Sequence, residues 1–420
     1  MAAMVDLTPD QRAALAPGAP PGRAMALRIV VEAARLLGAP SLVPIRSAHA
    51  DGCIYHGPGG LKVVERLADL GARVAVPTTC NVGAIDLLHP EVARLSETEK
   101  ALARRQMDGH VALGCTPSWT CAPYQAGHRP APGDQVAWGE SNAVAFVNAV
   151  LGARTNRYGD YLDVCCAIAG AAPFSGLHVT ENRRATLRVD TAALSDGLKA
   201  RAAFYPVLGA WLGRAAGADV AVFTGLPAAI PEDSLKALGA GAAATGEVGL
   251  FHIVGTTPEA PSLDAACQGQ PPARHITLTP DMVRAARDAL STATGEALDC
   301  VAVGSPHYSA AQCRAVLALA GRERFRVPFH ICTHRKVMDD LARDGADRAL
   351  ADKGVNLVVD TCVVVAPVLP PGGGVMMTDS AKFAHYGKGN TGHDALFGAV
   401  EDCVASAIAG RVVRHEAAWA

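Results

Sequence analysis

The chain reads TPSWTCAPYQAGHRPAPGDQVAWGESNAVAFVNAVLGARTN from Thr116 to Asn156. Around its first half, Gly114 to Asp134 holds four prolines, three glycines and two cysteines, which predicts irregular structure. A loop of this length inside a compact domain is usually functional. The apolar segment from Ser141 to Leu151 then predicts a helix. We therefore expect site residues in a long loop that leads into a buried helix.

On both sides of this stretch, amphipathic helices alternate with short apolar strands. The alternation predicts an α/β fold with parallel sheets, in which ligands bind beyond the carboxyl ends of the strands. SAHADG and PTTCN follow two of these predicted strands and are therefore candidate site loops. The predicted strands are Ser41–Ile45, Arg73–Val76, Asp219–Phe223, Gly246–Gly255, Leu298–Gly304, Arg326–Ile331 and Val355–Asp360. The predicted helices include Met25–Ala39, Gly60–Leu70, Ser96–Met107 with a capping box to Glu99, and Leu396–Ala409.

Length and charge narrow the class of protein. A chain of 420 residues suits two or three lobes, which we divide at 1–190, 191–295 and 296–420. The formal charge of −2 gives no reason to expect a nucleic-acid or membrane partner. The N-terminus resembles no secretion signal and no apolar run is long enough to span a bilayer, so we expect a cytoplasmic protein. Its 12 cysteines should then be reduced thiols.

Two cysteines stand where ligands are expected. Cys121 lies in the Pro/Gly-rich loop, where backbone amides are available to a thiolate or a cluster, and Cys362 follows a strongly apolar strand. A lone buried cysteine is more often part of a core, so each position alone is weak. No CxxC pair occurs, which argues against a zinc ribbon or a ferredoxin-type site. Any metal centre must be assembled from dispersed loops.

Polar residues at strand and helix ends are further candidates. His49, His307 and His334 each follow a predicted apolar strand, although any one of them could be a satisfied loop histidine. Glu140 begins a helix, where a carboxylate is stabilised in any case. The remaining candidates are Arg154 and Asn156, which with Arg157 form a donor set suited to a carboxylate or a solvated turn, and Lys382 near Ser380, which could equally be a surface lysine.

Taken together, these strings resemble one family. SAHADG, VPTTCNVGAIDL, the Thr116–Asn156 block, GLHVTENR, GSPHYS, DTCVVVAP and SAKFAHY occur in the order of the large subunit of aconitase X, over roughly residues 7–410. The resemblance implies a three-lobed α/β/α architecture of parallel and mixed sheets, equivalent to the first three domains of aconitase. It also implies a hydro-lyase that dehydrates a small hydroxy acid at a metal centre.

The resemblance assigns roles to individual residues. It implies Cys121 and Cys362 as metal ligands. Archaeal-type members look as if they carry a cysteine where this chain has Ser305 and lack the one at Cys80, so one ligand position has moved and Cys80 is implied as the third ligand. The implied cofactor is an iron–sulfur cluster, with 2Fe-2S favoured, or mononuclear iron. The implied catalytic residues are Ser47, His49, Glu140 and Lys382, and the implied substrate-binding residues are Thr79, Asn81, Ser141, Arg154, Asn156 and His307.

The resemblance leaves more than one function open. The position of Cys80 favours dehydration of cis-3-hydroxy-L-proline to Δ1-pyrroline-2-carboxylate over dehydration of mevalonate 5-phosphate. A small swivelling subunit that carries a catalytic serine is implied as the partner. A non-catalytic metal-binding interaction subunit is an alternative of another class. A zinc hydrolase is disfavoured because HICTH, from His330 to His334, lacks the glutamate of HExxH.

Overall fold

A computed structural model describes residues 5–419. Its internal contacts divide the chain into two compact units. Unit 1 contains the residues up to Ile85 together with Leu95–Arg184, and unit 2 contains Asp86–Arg94 and the residues from Ala185 onward. No helix within residues 5–419 combines the length and the apolar character that crossing a bilayer requires.

Unit 1 is built around a small parallel sheet. Its helices are α1 (Pro9–Leu15), α2 (Pro21–Leu36), α3 (Pro58–Asp69), α4 (Glu97–Ala112), α5 (Ser141–Ala149) and α6 (Leu162–Ala169). Its strands are β1 (Leu42–Pro44), β2 (Ser47–Ala50), β3 (Thr78–Cys80), β4 (Val136–Trp138) and β5 (Ala171–Pro173). Strand β2 lies between β3 and β4 in the parallel sheet, and β1 pairs with β5 in an antiparallel ribbon. Short 3₁₀ turns at Gly176–His178 and Thr180–Arg183 close the unit.

The helices of unit 1 follow their sequence signals. Ser96 caps α4 by accepting a hydrogen bond from the Glu99 backbone N–H at 3.2 Å, and the Glu99 carboxylate accepts one from the Ser96 N–H at 2.8 Å. This reciprocal pair confirms the predicted capping box. The predicted irregular loop is also confirmed, because no helix or strand forms between Leu113 and Gln135.

Two predicted strands of unit 1 were misplaced. The apolar segment at Ser41–Ile45 forms only the short ribbon strand β1, while the following SAHA string, predicted as a loop, is the central strand β2. Likewise, Arg73–Val76 is irregular, and the strand forms at Thr78–Cys80 instead. An apolar pattern could not locate β2 and β3, because these strands carry polar candidate site residues although all seven of their residues are buried.

Unit 2 contains two entirely parallel sheets. Their strand orders are β8-β7-β6-β9 and β12-β11-β10-β13-β14. The strands are β6 (Leu187–Asp190), β7 (Ala221–Thr224), β8 (Phe251–Ile253), β9 (Arg274–Thr277), β10 (Cys300–Val303), β11 (Phe329–Thr333), β12 (Val355–Val359), β13 (Gly374–Thr378) and β14 (His393–Phe397). These strands confirm the β/α alternation predicted for the second half of the chain.

Helices cover the sheets of unit 2. They are α7 (Asp196–Lys199), α8 (Phe204–Ala216), α9 (Glu232–Thr245), α10 (Leu263–Ala266), α11 (Pro280–Asp288), α12 (Ala310–Ala320), α13 (Arg335–Asp344), α14 (Ala346–Asp352), α15 (Ala381–Thr391) and α16 (Val400–Ala409), followed by a 3₁₀ turn at Glu416–Trp419. The predicted closing helix from Leu396 begins only at Val400, because Leu396 belongs to the buried edge strand β14. The segment predicted as one helix therefore covers the end of β14 and all of α16, which Gly398 separates.

Candidate active site

The first group of candidate side chains lies on one face of the unit 1 sheet. His49 is in register with Thr79 on β3 and with Trp138 on β4, so the three side chains project from the same face. Because side chains alternate along a strand, Ser47 and Asn81 project from this face as well. The Nδ1 atom of His49 and the Oγ1 atom of Thr79 share a hydrogen bond of 2.9 Å. We call Ser47, His49, Thr79, Asn81 and Trp138 the polar face.

Four atoms of the polar face are buried without a hydrogen-bond partner within residues 5–419. They are Ser47 Oγ, His49 Nε2, Asn81 Oδ1 and Trp138 Nε1. Leaving a buried polar atom unpaired costs roughly 1–3 kcal/mol, so a group of four on one face calls for an explanation. A polar ligand that contacts the polar face would provide the missing partners.

Two histidines of this region are neutral. Burial and the neighbouring His128 lower the pKa of His49 to about 3. Burial also lowers the pKa of His128 to about 4. The two imidazoles flank Trp138, with ring centroids 5.6 Å and 5.3 Å from its indole. Trp138 and His128 were not predicted from the sequence as site residues, although both lie within the Thr116–Asn156 stretch.

A buried carboxyl supports the polar face from behind. Asn81 Nδ2 donates to Asp51 Oδ1, and the backbone N–H of Asp51 donates to Asp163 Oδ2 at 2.7 Å. Asp163 also accepts a hydrogen bond of 2.6 Å from the backbone N–H of Val164. Asp163 was missed because it begins the apolar helix α6, where an isolated acid suggests only a helix start.

Asp163 should make the stability of the chain depend on pH. Burial raises its pKa from 3.8 to about 7, so the folded chain favours the protonated carboxyl. Its stabilising contribution is therefore complete below about pH 4 and is lost as the pH rises through 7, a loss of about 4 kcal/mol. Urea unfolding at pH 5 and pH 8 should show a smaller decrease in stability for Asp163→Asn than for the wild type. Equal decreases would contradict this assignment.

The cysteines of unit 1 lie in two different environments. Cys80 is fully buried on the opposite face of β3 from Thr79, and burial together with its contacts to Cys115 and Cys53 raises its pKa well above the ordinary value. Cys121 is 7% exposed in the long loop, and its carbonyl accepts a hydrogen bond of 3.0 Å from Asn142 Nδ2. Cys121 is thus the more accessible thiol, while Cys80 stays a predicted ligand.

The predicted substrate ligands at the other end of β4 bond neighbouring segments of unit 1 instead. Arg154 pairs beside Gln135, before the amino end of β4, and donates to Thr180 Oγ1 at 2.6 Å. Asn156 accepts from the Leu177 N–H at 2.8 Å and donates to the Ser175 carbonyl at 3.0 Å. The structure therefore does not bring Arg154 and Asn156 to the polar face.

Asn156→Ala tests whether Asn156 stabilises the fold instead of binding substrate. Both side-chain hydrogen bonds stabilise the Ser175–Leu177 turn, so we expect the free energy of unfolding to fall by about 1–3 kcal/mol, with kcat/KM little changed. Denaturant titration and steady-state kinetics measure the two effects. Unchanged stability with a large loss of kcat/KM would return Asn156 to the substrate site.

Glu140 and Ser141 lie beyond the carboxyl end of β4. Glu140 is 3% exposed and caps α5 by accepting a hydrogen bond of 2.6 Å from the Ala143 N–H. Ser141 Oγ donates to Glu140 Oε1 at 3.2 Å. The pair is close to the end of the strand that carries Trp138, which is consistent with the predicted site, and its catalytic roles stay predictions.

A second group of candidates follows adjacent strands of unit 2. His307, His334 and Cys362 come after β10, β11 and β12, which confirms their predicted positions beyond strand ends. His307 Nε2 donates to the Thr361 carbonyl at 3.1 Å. We call His307, His334, Thr361 and Cys362 the strand-end group. Lys382 lies half-buried in the first turn of α15, in the same unit. The pKa of His307 is lowered to about 3, mainly by burial and by the neighbouring His334, with a smaller contribution from Lys382.

The loop that carries Cys362 is held by an ion pair between the buried Asp360 and the partly exposed Arg335. Asp360 adopts a positive φ of 63° and is fully buried. Arg335 donates to both of its carboxylate oxygens, with Nε at 2.9 Å from Oδ1 and Nη2 at 2.6 Å from Oδ2. A bidentate pair of this kind fixes the turn as well as the charge.

Both of the accessible candidate ligands follow a strained residue. Within residues 5–419, the non-glycine residues with positive φ are Trp119 (41°), Tyr161 (71°), Gln268 (50°) and Asp360 (63°). Trp119 lies two residues before Cys121, and Asp360 lies two residues before Cys362. Backbone strain of this kind persists where surrounding structure enforces it, often at functional sites.

The candidate metal ligands are divided between the units, with Cys80 and Cys121 in unit 1 and Cys362 in unit 2. In the part of the chain that the structure describes, no group of three His, Cys, Asp or Glu side chains is arranged to hold a metal ion. Cys121 and Cys362, each 7% exposed after a strained turn, fit the role of thiolate ligands. Cys80 fits less well as placed, because its thiol contacts Cys53 and Cys115.

Comparison with known proteins gives consistent matches over nearly the whole chain. Family models described as the first, second and third domains of aconitase X match residues 4–181, 185–288 and 298–409. The crystal structure of Thermococcus kodakaraensis aconitase X in its holo-form superposes with a TM-score of 0.86 at 29% identity, covering 96% of this chain and all of that one. These matches confirm the predicted aconitase-like fold.

Curated relatives are dehydratases of two kinds. The cis-3-hydroxy-L-proline dehydratase of Pseudomonas aeruginosa is 40% identical over 94% of this chain, and that of Hypocrea jecorina is 37% identical over 92%. This chain spans 68% and 65% of the length of those two proteins. The phosphomevalonate dehydratase large subunit of Methanothermobacter thermautotrophicus is 37% identical over 88% of this chain and 91% of its own length.

Proposed function

Because the chain belongs to the aconitase X family, whose curated relatives are dehydratases, we propose that it is the large subunit of a cis-3-hydroxy-L-proline dehydratase. The product would be Δ1-pyrroline-2-carboxylate. The observation that carries the proposal is the polar face, where buried atoms of Ser47, His49, Asn81 and Trp138 lack partners within residues 5–419. The identity to hydroxyproline dehydratases supports the choice of substrate.

The charge of the polar face supports a substrate without phosphate. Its donors are a hydroxyl, an indole N–H and the imidazole of His49, which is neutral because its pKa is about 3. Neutral donors can bind one carboxylate or hydroxyl oxygen, whereas phosphate groups are commonly bound by arginine or lysine. The polar face therefore suits a small amino acid better than a phosphorylated substrate.

The proposed reaction removes the proton at C2 and hydroxide from C3, and the resulting enamine tautomerises to the imine. His49 is too weak a base to remove the proton at neutral pH, so its proposed role is to bind and orient the substrate through Nε2. Thr79 fixes the orientation of the ring through Nδ1. Ser47, on the same face, would contact the substrate or the departing water. Glu140 and Lys382 are the proposed proton-transferring residues.

An iron–sulfur cluster, proposed as 2Fe-2S, or a mononuclear iron held by Cys121, Cys362 and Cys80 would act as a Lewis acid on the leaving hydroxyl. All twelve cysteines are buried. We propose that the protein is cytoplasmic, where thiols stay reduced. Ser141 and His307 complete the proposed substrate contacts, whereas Arg154 and Asn156 are assigned to the hydrogen bonds that hold Thr180 and the Ser175–Leu177 turn.

We also propose a small swivelling subunit as the partner. The name of the Methanothermobacter relative, a large subunit, supports this. The test is to assay this chain alone and co-purified with a small aconitase-swivel-like protein, following loss of water from cis-3-hydroxy-L-proline by mass spectrometry. We expect turnover only for the complex. Equal turnover by the isolated chain would contradict the need for a partner.

A second candidate function has an observation in its favour. The phosphomevalonate dehydratase large subunit of Methanothermobacter thermautotrophicus is 37% identical over 88% of this chain, the same identity as the hydroxyproline dehydratase of Hypocrea jecorina. We therefore keep mevalonate 5-phosphate as the competing substrate.

A further inference from the structure

The strand-end group of unit 2 contains two buried polar atoms to which no role has been given. His334 immediately follows β11, which lies between β10 and β12 in the sheet. Thr361 follows β12 and precedes Cys362. His334 is 1% exposed and Thr361 is fully buried. His334 Nε2 and Thr361 Oγ1 have no hydrogen-bond partner among residues 5–419.

His307 ties these two residues into one cluster. Its ring lies nearly parallel to that of His334, with centroids 6.4 Å apart and an interplanar angle of 26°. At the edge of the same ring, His307 Nε2 donates to the carbonyl of Thr361 at 3.1 Å. The two unpartnered atoms thus belong to residues that both neighbour the same imidazole.

The cluster is held rigidly. Lys236, only 1% exposed, donates to the His307 carbonyl at 2.9 Å and forms an ion pair of 2.8 Å with Asp233. Thr333 Oγ1 donates to the Tyr308 carbonyl at 2.8 Å, which fastens the loop after β10 to the end of β11. Fixed backbone on both sides of His334 leaves its Nε2 atom with little freedom to find another partner.

We propose that His334 Nε2 and Thr361 Oγ1 bind an oxygen atom of the small hydroxy-acid substrate at the strand edge that carries Cys362. An imidazole N–H and a hydroxyl are neutral donors suited to a carboxylate or hydroxyl oxygen. The inference rests on the proposed function, since it takes its ligand from the substrate class proposed there. It assigns His334 and Thr361 to substrate binding.

The experiment uses the complex with the small subunit and compares variants that keep or remove each donor. Thr361→Val removes the hydroxyl at nearly constant shape, and Thr361→Ser restores it. His334→Ala removes the ring, while His334→Gln can place an amide N–H near the former Nε2 atom. For cis-3-hydroxy-L-proline we expect His334→Ala and Thr361→Val to lower kcat/KM by about 10- to 100-fold, mainly through KM, with partial recovery in Gln and Ser.

His330→Ala is the matched control. His330 is buried in the middle of β11, in register with Ala302 and Asn356, and its ring nitrogens are also without partners within residues 5–419. His330 lies four residues before His334 and outside the strand-end group. We therefore expect its substitution to lower the melting temperature but to change KM less than threefold. Equal increases in KM for His330→Ala and His334→Ala, or no increase for His334→Ala, would overturn the inference and leave the proposed function intact.

Binding measurements separate this inference from the proposed function. If the wild-type complex dehydrates neither cis-3-hydroxy-L-proline nor mevalonate 5-phosphate, the proposed function fails. Calorimetric titration with pyrrole-2-carboxylate, a stable planar analogue of the product, then decides the inference alone. Binding by the wild type that is weakened at least 10-fold in Thr361→Val and His334→Ala supports it, and absence of binding by the wild type overturns it.

Discussion

Replacing Cys121 or Cys362 by serine is expected to lower kcat/KM of the complex by more than about 10³-fold and to remove most of its bound iron. Serine preserves the size of the side chain but replaces a thiolate, a ligand suited to iron–sulfur centres, by a poorly ionised hydroxyl. Cys121 and Cys362 are each 7% exposed as residues and follow the strained residues Trp119 and Asp360. Iron content and visible absorption provide readouts that do not depend on turnover.

Cys313→Ser is the control for the loss of a buried thiol. Cys313 is fully buried in the hydrophobic core of unit 2, where it packs with residues of β10 and β11. We expect this variant to be less stable but to keep its iron. Full iron content together with wild-type activity in either Cys121→Ser or Cys362→Ser would remove that cysteine from the centre.

Cys80→Ser addresses the third ligand separately. The thiol of Cys80 contacts Cys53 and Cys115 on the face of β3 opposite Thr79. Loss of iron would support Cys80 as a ligand, in agreement with the family resemblance. Retention of iron with a lowered melting temperature would assign Cys80 to this buried thiol cluster instead.

His49→Ala is expected to have the second largest effect, lowering kcat/KM by about 10²- to 10³-fold. The imidazole is fully buried, is oriented by Thr79 through Nδ1, and has an Nε2 atom without a partner within residues 5–419. Removing a donor that is already oriented costs more than removing a flexible surface contact. Steady-state kinetics with cis-3-hydroxy-L-proline, together with the melting temperature, provides the measurement.

His178→Ala is the matched control for His49→Ala. His178 is equally buried in unit 1, but both of its ring nitrogens are bonded at 2.6 Å, to the Tyr158 hydroxyl and to Gln135 Oε1. Its loss should therefore reduce stability and leave kcat/KM within a few-fold of the wild type. A similar loss of kcat/KM in both variants would mean that His49 acts only through the stability of unit 1.

The sequence predicts the positions of the unit 2 candidates well, because a simple topological rule applies there. β10, β11 and β12 are predominantly apolar segments, so the residues that follow them, including His307, His334 and Cys362, can be placed at one sheet edge without coordinates. Capping chemistry likewise located the start of α4 at Ser96.

The candidate site of unit 1 was harder to predict because several residues of β2 and β3 are themselves candidate site residues. β2 and β3 bury polar side chains, so a search for apolar strands placed them several residues too early. Trp138 and His128 join the site only because β4 pairs with β2 and because the long loop folds beside it. Conversely, Arg154 and Asn156 suggested an anion site, yet the structure uses their side chains to hold Thr180 and the Ser175–Leu177 turn.

The central claim is that this chain forms the large subunit of a hydroxyproline dehydratase and not of a phosphomevalonate dehydratase. The direct test is kcat/KM of the iron-reconstituted complex for cis-3-hydroxy-L-proline and for mevalonate 5-phosphate under the same conditions. Because the polar face offers neutral donors, we predict a ratio of at least about 100 in favour of cis-3-hydroxy-L-proline, which corresponds to roughly 2.7 kcal/mol. A ratio below one, or no loss of water from cis-3-hydroxy-L-proline, would contradict the claim.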